Sequence, residues 1–315
     1  MPNDCLRLLK VLTLLSSLGS PGLPLLRDGE GVVSENELKK ASPSEQRVAP
    51  GPRDHILDLF GSFVRDYGGW VAVADLLVLL GSLGVAETSG RSALSRMKRQ
   101  GEIEALSRGS VRGYALTPGS EEWFADGTER IMKGSPWRPD DLWVLAAFTV
   151  PEDERRVRYQ IRARLRDLGF GQLSGGLMIA PASILDETVR ALERAELVGY
   201  IDLWQSQHIG FMPMEQVVAS AWDLPMIDHA YRDYLASAAA LEAGAAPADD
   251  EAAFVRYVHH VHAWRELPFI DPGIPDRYVP GDWRATEARE TFGRISNELR
   301  PGAWRHFVTV ATTDE

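Results

Sequence analysis

Residues Trp70–Thr117 read WVAVADLLVLLGSLGVAETSGRSALSRMKRQGEIEALSRGSVRGYALT. The apolar run Val73 to Leu83 predicts a helix, and Gly84 predicts the turn that ends it. A second helix follows, then a Gly/Arg/Ser loop between two short strand-like runs. Helix, turn, helix and hairpin in that order predict a winged helix-turn-helix.

The second helix carries most of the information. Glu87 or Thr88 offers an acceptor to cap its start, and Gly101 follows its last turn as a stop. At about 100° per residue, Gly90, Ala93, Leu94 and Met97 fall on one side and Thr88, Ser92, Ser95, Arg96 and Arg99 on the other. Arg91 and Lys98 flank the polar side. Hydroxyls and guanidinium forks on such a face can reach base edges in a major groove, and the flanking cations can neutralise phosphates. A solvated helix of any small domain carries the same pattern. Two further features favour a polyanion site.

The loop Leu106 to Tyr114, LSRGSVRGY, combines two glycines and two serines with Arg108 and Arg112. Between strands expected at Ile103 to Ala105 and Tyr114 to Thr117, it predicts a flexible cationic wing tip. Charge placement is the second feature. Ser89 to Gly113 holds six basic residues against Glu102 and Glu104, a local +4 in a chain whose formal net charge is −11. A basic island in an acidic protein marks a local site for a polyanion, while the acidic remainder suppresses indiscriminate binding.

The 315 residues leave room for two or three domains, and 44% hydrophobic with 25% charged residues is an ordinary globular composition. Cys5 is the only cysteine, so neither an intrachain disulfide nor a cysteine-based metal cluster can form. That suits a reducing cytoplasm, the expected location. No apolar run approaches the roughly 20 residues needed to span a bilayer.

Four segments are expected. Residues 1–52 read as a weakly ordered extension: LRLLKVLTLLSSLGSPGLPLL superficially resembles a signal peptide, and a polar linker without periodicity follows. An upstream misassigned start, with Val32, Val33 or Val48 as the true one, is an alternative. Residues 53–135 are the DNA-binding unit, opened by a helix carrying Ile56, Leu57, Phe60, Phe63 and Val64 at helical spacing. Pro118 to Lys133 continues it in one or two helices, and GSPWRP marks its end. Residues 136–211 alternate strand and helix: LWVLAAFTV, a helix with Val157, Ile161, Leu165 and Leu168 as its stripe, GGLMIAP, a helix capped by Ser183, and LVGYIDLWQ. That alternation predicts a ferredoxin-like sandwich. Its basic run, Arg155, Arg156, Arg158, Arg162, Arg164 and Arg166, is interleaved with acidic residues and reads as a solvated face.

Residues 212–315 are mostly helical, ending in a helix over TEARETFGRISNELR. Within them PFIDPGIPDRYVPGDW is too long for a simple connector. Arg265, Asp271, Arg277 and Asp282, set among Phe269, Ile270, Tyr278 and Trp283, could wall a pocket for a ligand with apolar and anionic parts. They could equally brace helices. His259 and His262, one helical turn apart, are weak candidates to share a metal with Asp271.

Three blocks of this chain resemble the PaaX-type transcriptional repressors, regulators of phenylacetic-acid degradation. They are LGVAETSGRSALSRMKRQG, VPEDERRVRYQIRARLRDLGFGQLSGGLMIAP and WRELPFIDPGIPDRYVPGDW, in the family's order. The resemblance implies an α+β protein with a winged helix-turn-helix, a central Cas2-like domain and a helical C-terminal domain. It further implies a homodimeric repressor, without a cofactor, released from double-stranded DNA by phenylacetyl-CoA or a related acyl-CoA thioester. Ser92, Ser95, Arg96 and Arg99 would then read bases and Arg108 and Arg112 grip phosphates, with Arg265, Asp271, Arg277 and Trp283 as effector candidates. The sequence departs from the family pattern at Thr149, where Asp is frequent, and at Trp264, where Tyr is frequent.

Two other functions compete: a repressor that ignores ligands, and a metal-dependent Cas2-like nuclease. The nuclease needs an Asp at the end of its first strand to hold a divalent metal. Thr149 cannot ligate as a carboxylate does, and Glu152 and Asp153 fall in a turn. No GxSxG elbow supports nucleophilic catalysis, so an enzyme is not expected.

Overall fold

In the computed structural model the described residues are 50–133 and 142–312. Cys5, the alternative starts at Val32, Val33 and Val48, and the GSPWRP boundary lie outside them. Helix α1, Pro52–Leu59, starts with proline at its first position, where the missing N–H costs nothing. Its last turns widen over Phe60–Val64, with the Arg65 N–H reaching the Phe60 carbonyl. Gly68 and Gly69, both at positive φ, reverse the chain.

The next element, strand β1 at Trp70–Ala72, is not anticipated by the sequence pattern. Helix α2, Val73–Ser82, ends at Gly84 (φ 77°), and helix α3 spans Glu87–Arg99. The expected caps are wrong: Ala86 occupies the N-cap position, no side chain caps α3, and Glu87 and Thr88 are already inside the helix. Gly101, at φ 72°, stops it as expected. Strands β2, Ile103–Arg108, and β3, Val111–Leu116, pair antiparallel, and β1 joins β3 to give the order β1-β3-β2. Ile56, Leu59, Phe60, Leu76, Leu79, Leu94, Met97 and Ile103 are buried between these helices and the sheet. Each side chain contributes about 1.5–3 kcal/mol. Gly90 lets α2 and α3 close on one another: a Cβ there would stand 3.1 Å from Leu77.

One helix, α4, runs over Pro118–Lys133. The central unit then follows the order β4 (Trp143–Phe148), α5 (Arg155–Asp167), β5 (Gly171–Ser174), β6 (Leu177–Pro181), α6 (Leu185–Arg194) and β7 (Ile201–Ser206). Its four-stranded sheet has the order β5-β6-β4-β7 with every pairing antiparallel. This is the split βαβ arrangement expected, with β5 as a strand the sequence reading missed. Val144, Ala146, Phe148, Met178 and Ala180 face Ile161, Leu165 and Leu192 of α5 and α6. Trp143 and Ile179, on the opposite face, join the core shared with Trp222 and Leu224. Ser183 does not cap α6; it sits in a 3₁₀ turn, and Ile184 holds the N-cap position.

The carboxy-terminal unit is built from α7 (Met214–Ala221), α8 (Leu224–Ala243), α9 (Asp250–Trp264), the short α10 (Leu267–Ile270) and α11 (Ala285–Ala311). Helix α11 does not stop at Arg300: it carries Pro301 inside it and continues for ten further residues, to Ala311. Gly302 lets it lie against α9, since a Cβ there would stand 2.9 Å from Ala253. Among the described residues no helix is long and apolar enough to cross a membrane.

Candidate nucleic-acid interface

Helix α3 buries Gly90, Ala93, Leu94 and Met97 and exposes Thr88, Arg91, Ser92, Ser95, Arg96, Lys98 and Arg99, the division expected from its periodicity. Arg91 is paired with Glu87 one turn earlier, and the Ser92 hydroxyl donates to the Thr88 carbonyl at 2.8 Å. Among the described residues, Arg96, Lys98, Arg99 and Arg112 have no ion-pair partner. Of the two acidic residues in the basic segment, Glu102 is buried and held by both forks of Arg53 at 3.1 and 3.2 Å. The positive face is therefore less compensated than the formal count suggests.

The β2–β3 hairpin differs from the expected wing. The strands extend to Arg108 and Val111, leaving only Gly109 and Ser110 as the turn, so Arg108 and Arg112 stand on strands rather than on a flexible tip. The register pairs Ser107 with Arg112 and Arg108 with Val111. The two arginines thus point to opposite faces of the hairpin. Arg112 shares its face with Val71, Tyr114 and Leu116, the side packed on the helices. Arg108 lies on the other, its guanidinium 4.8 Å from the Trp70 ring centroid and donating to the Gly68 carbonyl at 3.2 Å. Trp70 in turn donates to the Leu106 carbonyl and lies across β3 at Gly113, where a Cβ would meet its ring at 2.3 Å. Gly113 is therefore a steric requirement of the hairpin base.

The effector candidates do not share one environment. Arg265 is buried and turned toward α1, 2.9 Å from both Asp54 and Asp58. Burial alone would disfavour its charge, but the two carboxylates outweigh it and raise the guanidinium above its ordinary value. Asp271 is folded into its own loop, accepting from the Gly273 and Ile274 amides and from the Tyr231 hydroxyl at 2.8 Å. Burial, and then that carboxylate, push Tyr231 well above the usual phenol range. Trp283 stands edge-on to Tyr231, and Arg277 lies at the surface over Tyr278. Tyr278 packs on Trp143 of the central sheet. The bracing alternative describes Arg265 and Asp271.

The metal candidates also find other partners. His262 Nδ1 is paired with Asp58 at 2.9 Å rather than with Asp271, and His55 lies 5.8 Å from His259 and 6.3 Å from His262 between ring centroids. Burial lowers both His55 and His259. Among the described residues no group of three such side chains could hold a metal ion. Thr149 follows β4 directly, and Glu152 is engaged by Arg155 and Arg158. Much of the basic run is likewise used locally: Arg158 donates to Val150, Arg162 to Gly175 and Arg166 to Arg162.

A contact the sequence reading missed joins all three units. Arg130 of α4 is buried and donates to the Pro268 carbonyl (2.8 Å), the Leu168 carbonyl (3.0 Å) and Glu187, with its guanidinium over Phe269. Burial pulls Arg130 below its ordinary value while Glu187 opposes that. Gly169 completes the joint at φ 92°: a Cβ there would meet Pro272, Arg130 and the Phe269 carbonyl near 3 Å. Trp222 donates to its carbonyl at 2.9 Å. The LGFG and PFIDPG blocks, distant in sequence, are thus two sides of one contact.

Comparison with known proteins covers the three units in order. The family described as PaaX-like protein matches residues 52–119, the PaaX protein central Cas2-like domain matches 136–218, and the PaaX-like protein C-terminal domain matches 222–309. The chain is 23% identical over 255 residues to the transcriptional repressor PaaX of Escherichia coli (strain K12), covering 79% of this chain and 80% of that protein. A solved structure, the uncharacterized protein Rv0674 from Mycobacterium tuberculosis, has a similar fold: TM-score 0.53 at 20% identity, covering 80% of this chain and 97% of that one.

Proposed function

This chain belongs to the PaaX family, and on that premise we propose that it is a sequence-specific transcriptional repressor. The observation that carries this reading is the outer face of α3. Three cations without ion-pair partners, Arg96, Lys98 and Arg99, stand beside Ser92 and Ser95 in a chain of net charge −11. Helices α2 and α3 with the β2–β3 hairpin act as a winged helix-turn-helix. Ser92, Ser95, Arg96 and Arg99 contact base edges, while Thr88, Arg91 and Lys98 lie along the flanking phosphates. Arg108 and Arg112 neutralise phosphates from opposite faces of the hairpin.

The protein acts in the cytoplasm as a homodimer on a two-fold-related operator, with half-site centres about 10 base pairs, or a multiple, apart. It controls an aromatic or phenylacetate catabolic operon, and an aryl-acyl-CoA thioester releases it. Within the effector set, Arg277 and Trp283 make the direct contacts. Arg265 and Asp271 transmit through the helices they hold. Release requires that the thioester bind the DNA-incompetent state more tightly, by about 1.4 kcal/mol for each tenfold loss of operator affinity.

A gel-shift titration on DNA upstream of its own gene and neighbouring catabolic genes, with and without phenylacetyl-CoA and other acyl-CoA thioesters, tests this. Binding reversed by one thioester is expected. Binding that no thioester disturbs would leave a ligand-independent repressor, and no binding at all would refute the assignment.

A further inference from the structure

We infer that Glu87, the first residue of α3, reads a cytosine in the operator by accepting a hydrogen bond from its N4 amine on the unpaired oxygen of the carboxylate. This deepens the DNA-reading assignment above and rests on it.

Helix α3 reads ETSGRSALSRMKR, and Glu87 is its only acidic residue. A carboxylate beside a helix start can accept from the free amides of the first turn, but no side chain caps α3. Arg91, one turn later, instead places both Nε and Nη2 on a single oxygen, Oε1, each at 2.8 Å. Among the described residues Oε2 has no partner. The two side chains are 65% and 58% exposed, so their ion pair adds little to stability. Its effect is geometric: the carboxylate is held by one oxygen and offers the other.

The position aims that oxygen at base edges. Side chains lean toward the start of their helix, so the first residue projects past the helix end. The amino-terminal residues of a recognition helix are the ones that meet bases in a major groove. At about 100° per residue Glu87 stands beside Lys98 and Arg91, on the flank of the face formed by Thr88, Ser92, Ser95 and Arg99.

The chemistry of an anion there selects the base. Close to phosphates a carboxylate is repelled unless a donor receives it. Guanine and thymine present only acceptors to polar groups in the major groove, and the N6 amine of adenine lies beside the N7 acceptor, which repels a carboxylate. Cytosine presents the N4 amine without an acceptor of its own. Glu87 therefore accepts from cytosine and turns away guanine and thymine, so that part of its specificity is repulsive. Arg96 and Arg99 add affinity together with base preference, whereas Glu87 gives up affinity for preference. Arg91 is its positioning residue, offsetting the charge and leaving Nη1 for a phosphate.

Selection from a randomised duplex pool by the full-length chain tests this. The wild-type chain should retain cytosine at one fixed position of the selected site. Glu87→Ala should erase the preference at that position and no other, and should bind non-specific DNA more tightly because an anion has left the interface. Glu87→Gln should move the preference to adenine, whose N6 and N7 an amide matches. Replacing the selected cytosine by pyrimidin-2-one, which lacks the N4 amine, should weaken wild type by about tenfold more than it weakens Glu87→Ala. Both variants should melt close to wild type, as the loss of an exposed pair requires. Identical selected sequences from wild type and Glu87→Ala overturn the inference. So does a Glu87→Ala chain that melts earlier and loses affinity for every sequence alike, which would make the pair a brace of α3. A wild-type chain that selects no sequence refutes the DNA-reading assignment, and this inference with it.

Discussion

The guanidinium of Arg265 lies 2.9 Å from the carboxylate of Asp58, joining the carboxy-terminal helices to the first helix of the amino-terminal unit. Asp54 completes the contact at 2.9 Å, and His262 approaches Asp58 from α9. All the residues that hold this joint on the amino-terminal side are on α1, which itself packs on α3.

Removing Arg265 leaves the buried Asp58 and the half-buried Asp54 without their guanidinium. Arg265→Ala should destabilise the protein by about 3–5 kcal/mol, the usual cost of breaking a buried pair from one side. Urea unfolding measures this. A variant that loses effector response at unchanged stability would instead make Arg265 a ligand-binding residue.

Arg96 and Arg99 should carry base preference. Arg96→Ala or Arg99→Ala is expected to cost about 1–3 kcal/mol of operator affinity and to blur one or two base pairs if the contact is bidentate to guanine. Titrations against single-base operator variants give the answer. Unchanged binding by both substitutions would remove α3 as the recognition helix.

Arg108 predicts a different signature. Its stacking on Trp70 holds the guanidinium beside the hairpin base, away from the tip. Arg108→Ala should weaken specific and non-specific DNA alike and reduce the salt slope by about one unit. A change confined to one base-pair position would contradict a phosphate role.

Asp167 ends α5, where a helix disfavours negative charge. Burial, with Arg164 and Arg166 opposing it, raises its carboxyl to about 7. A raised acid favours the folded state in its protonated form. Its contribution is therefore full below the unfolded value of 3.8 and is lost as pH rises toward 7. Asp167→Asn should raise the melting temperature at pH 8 and change it little near pH 4.

His260 runs in the opposite sense. Buried against Phe292, with Nε2 3.2 Å from the Phe292 carbonyl, it is pushed down to about 4. The unfolded chain gains a proton below 6.5 that the folded chain refuses until about 4, so stability falls with pH through that window. His260→Gln, which keeps a donor for Phe292, should flatten the loss in a series of melts between pH 7 and 4.

Periodicity made α3 and its two faces legible, because one stripe of Ala93, Leu94 and Met97 must be buried whatever surrounds it. It also revealed the alternation of the central unit. Short elements escaped: β1 has three residues, and β5, GQLS, shows neither apolar alternation nor β-branched residues. The caps failed because the extended Ala86 and the 3₁₀ residue Ile184 hold the N-cap positions by backbone geometry alone, leaving Thr88 and Ser183 one or more positions out of place. The last helix reads as TEARETFGRISNELR, ending at Arg300, yet α11 continues over Pro301, where Gly302 meets Ala253 on α9. Least legible were the long-range polar contacts. Nothing near Arg265 signals Asp58, and nothing near Arg130 signals Pro268.

The Arg130 joint has a consequence for how such chains are exchanged by recombination. A crossover between relatives anywhere from residue 131 to 167 would hand Arg130 to a foreign Gly169, Glu187 and Pro268–Phe269. These positions form one unit of inheritance although they lie in three segments of the chain. A chimaera will fold only if the guanidinium, the glycine that makes room for it and the carbonyls that receive it descend from compatible parents.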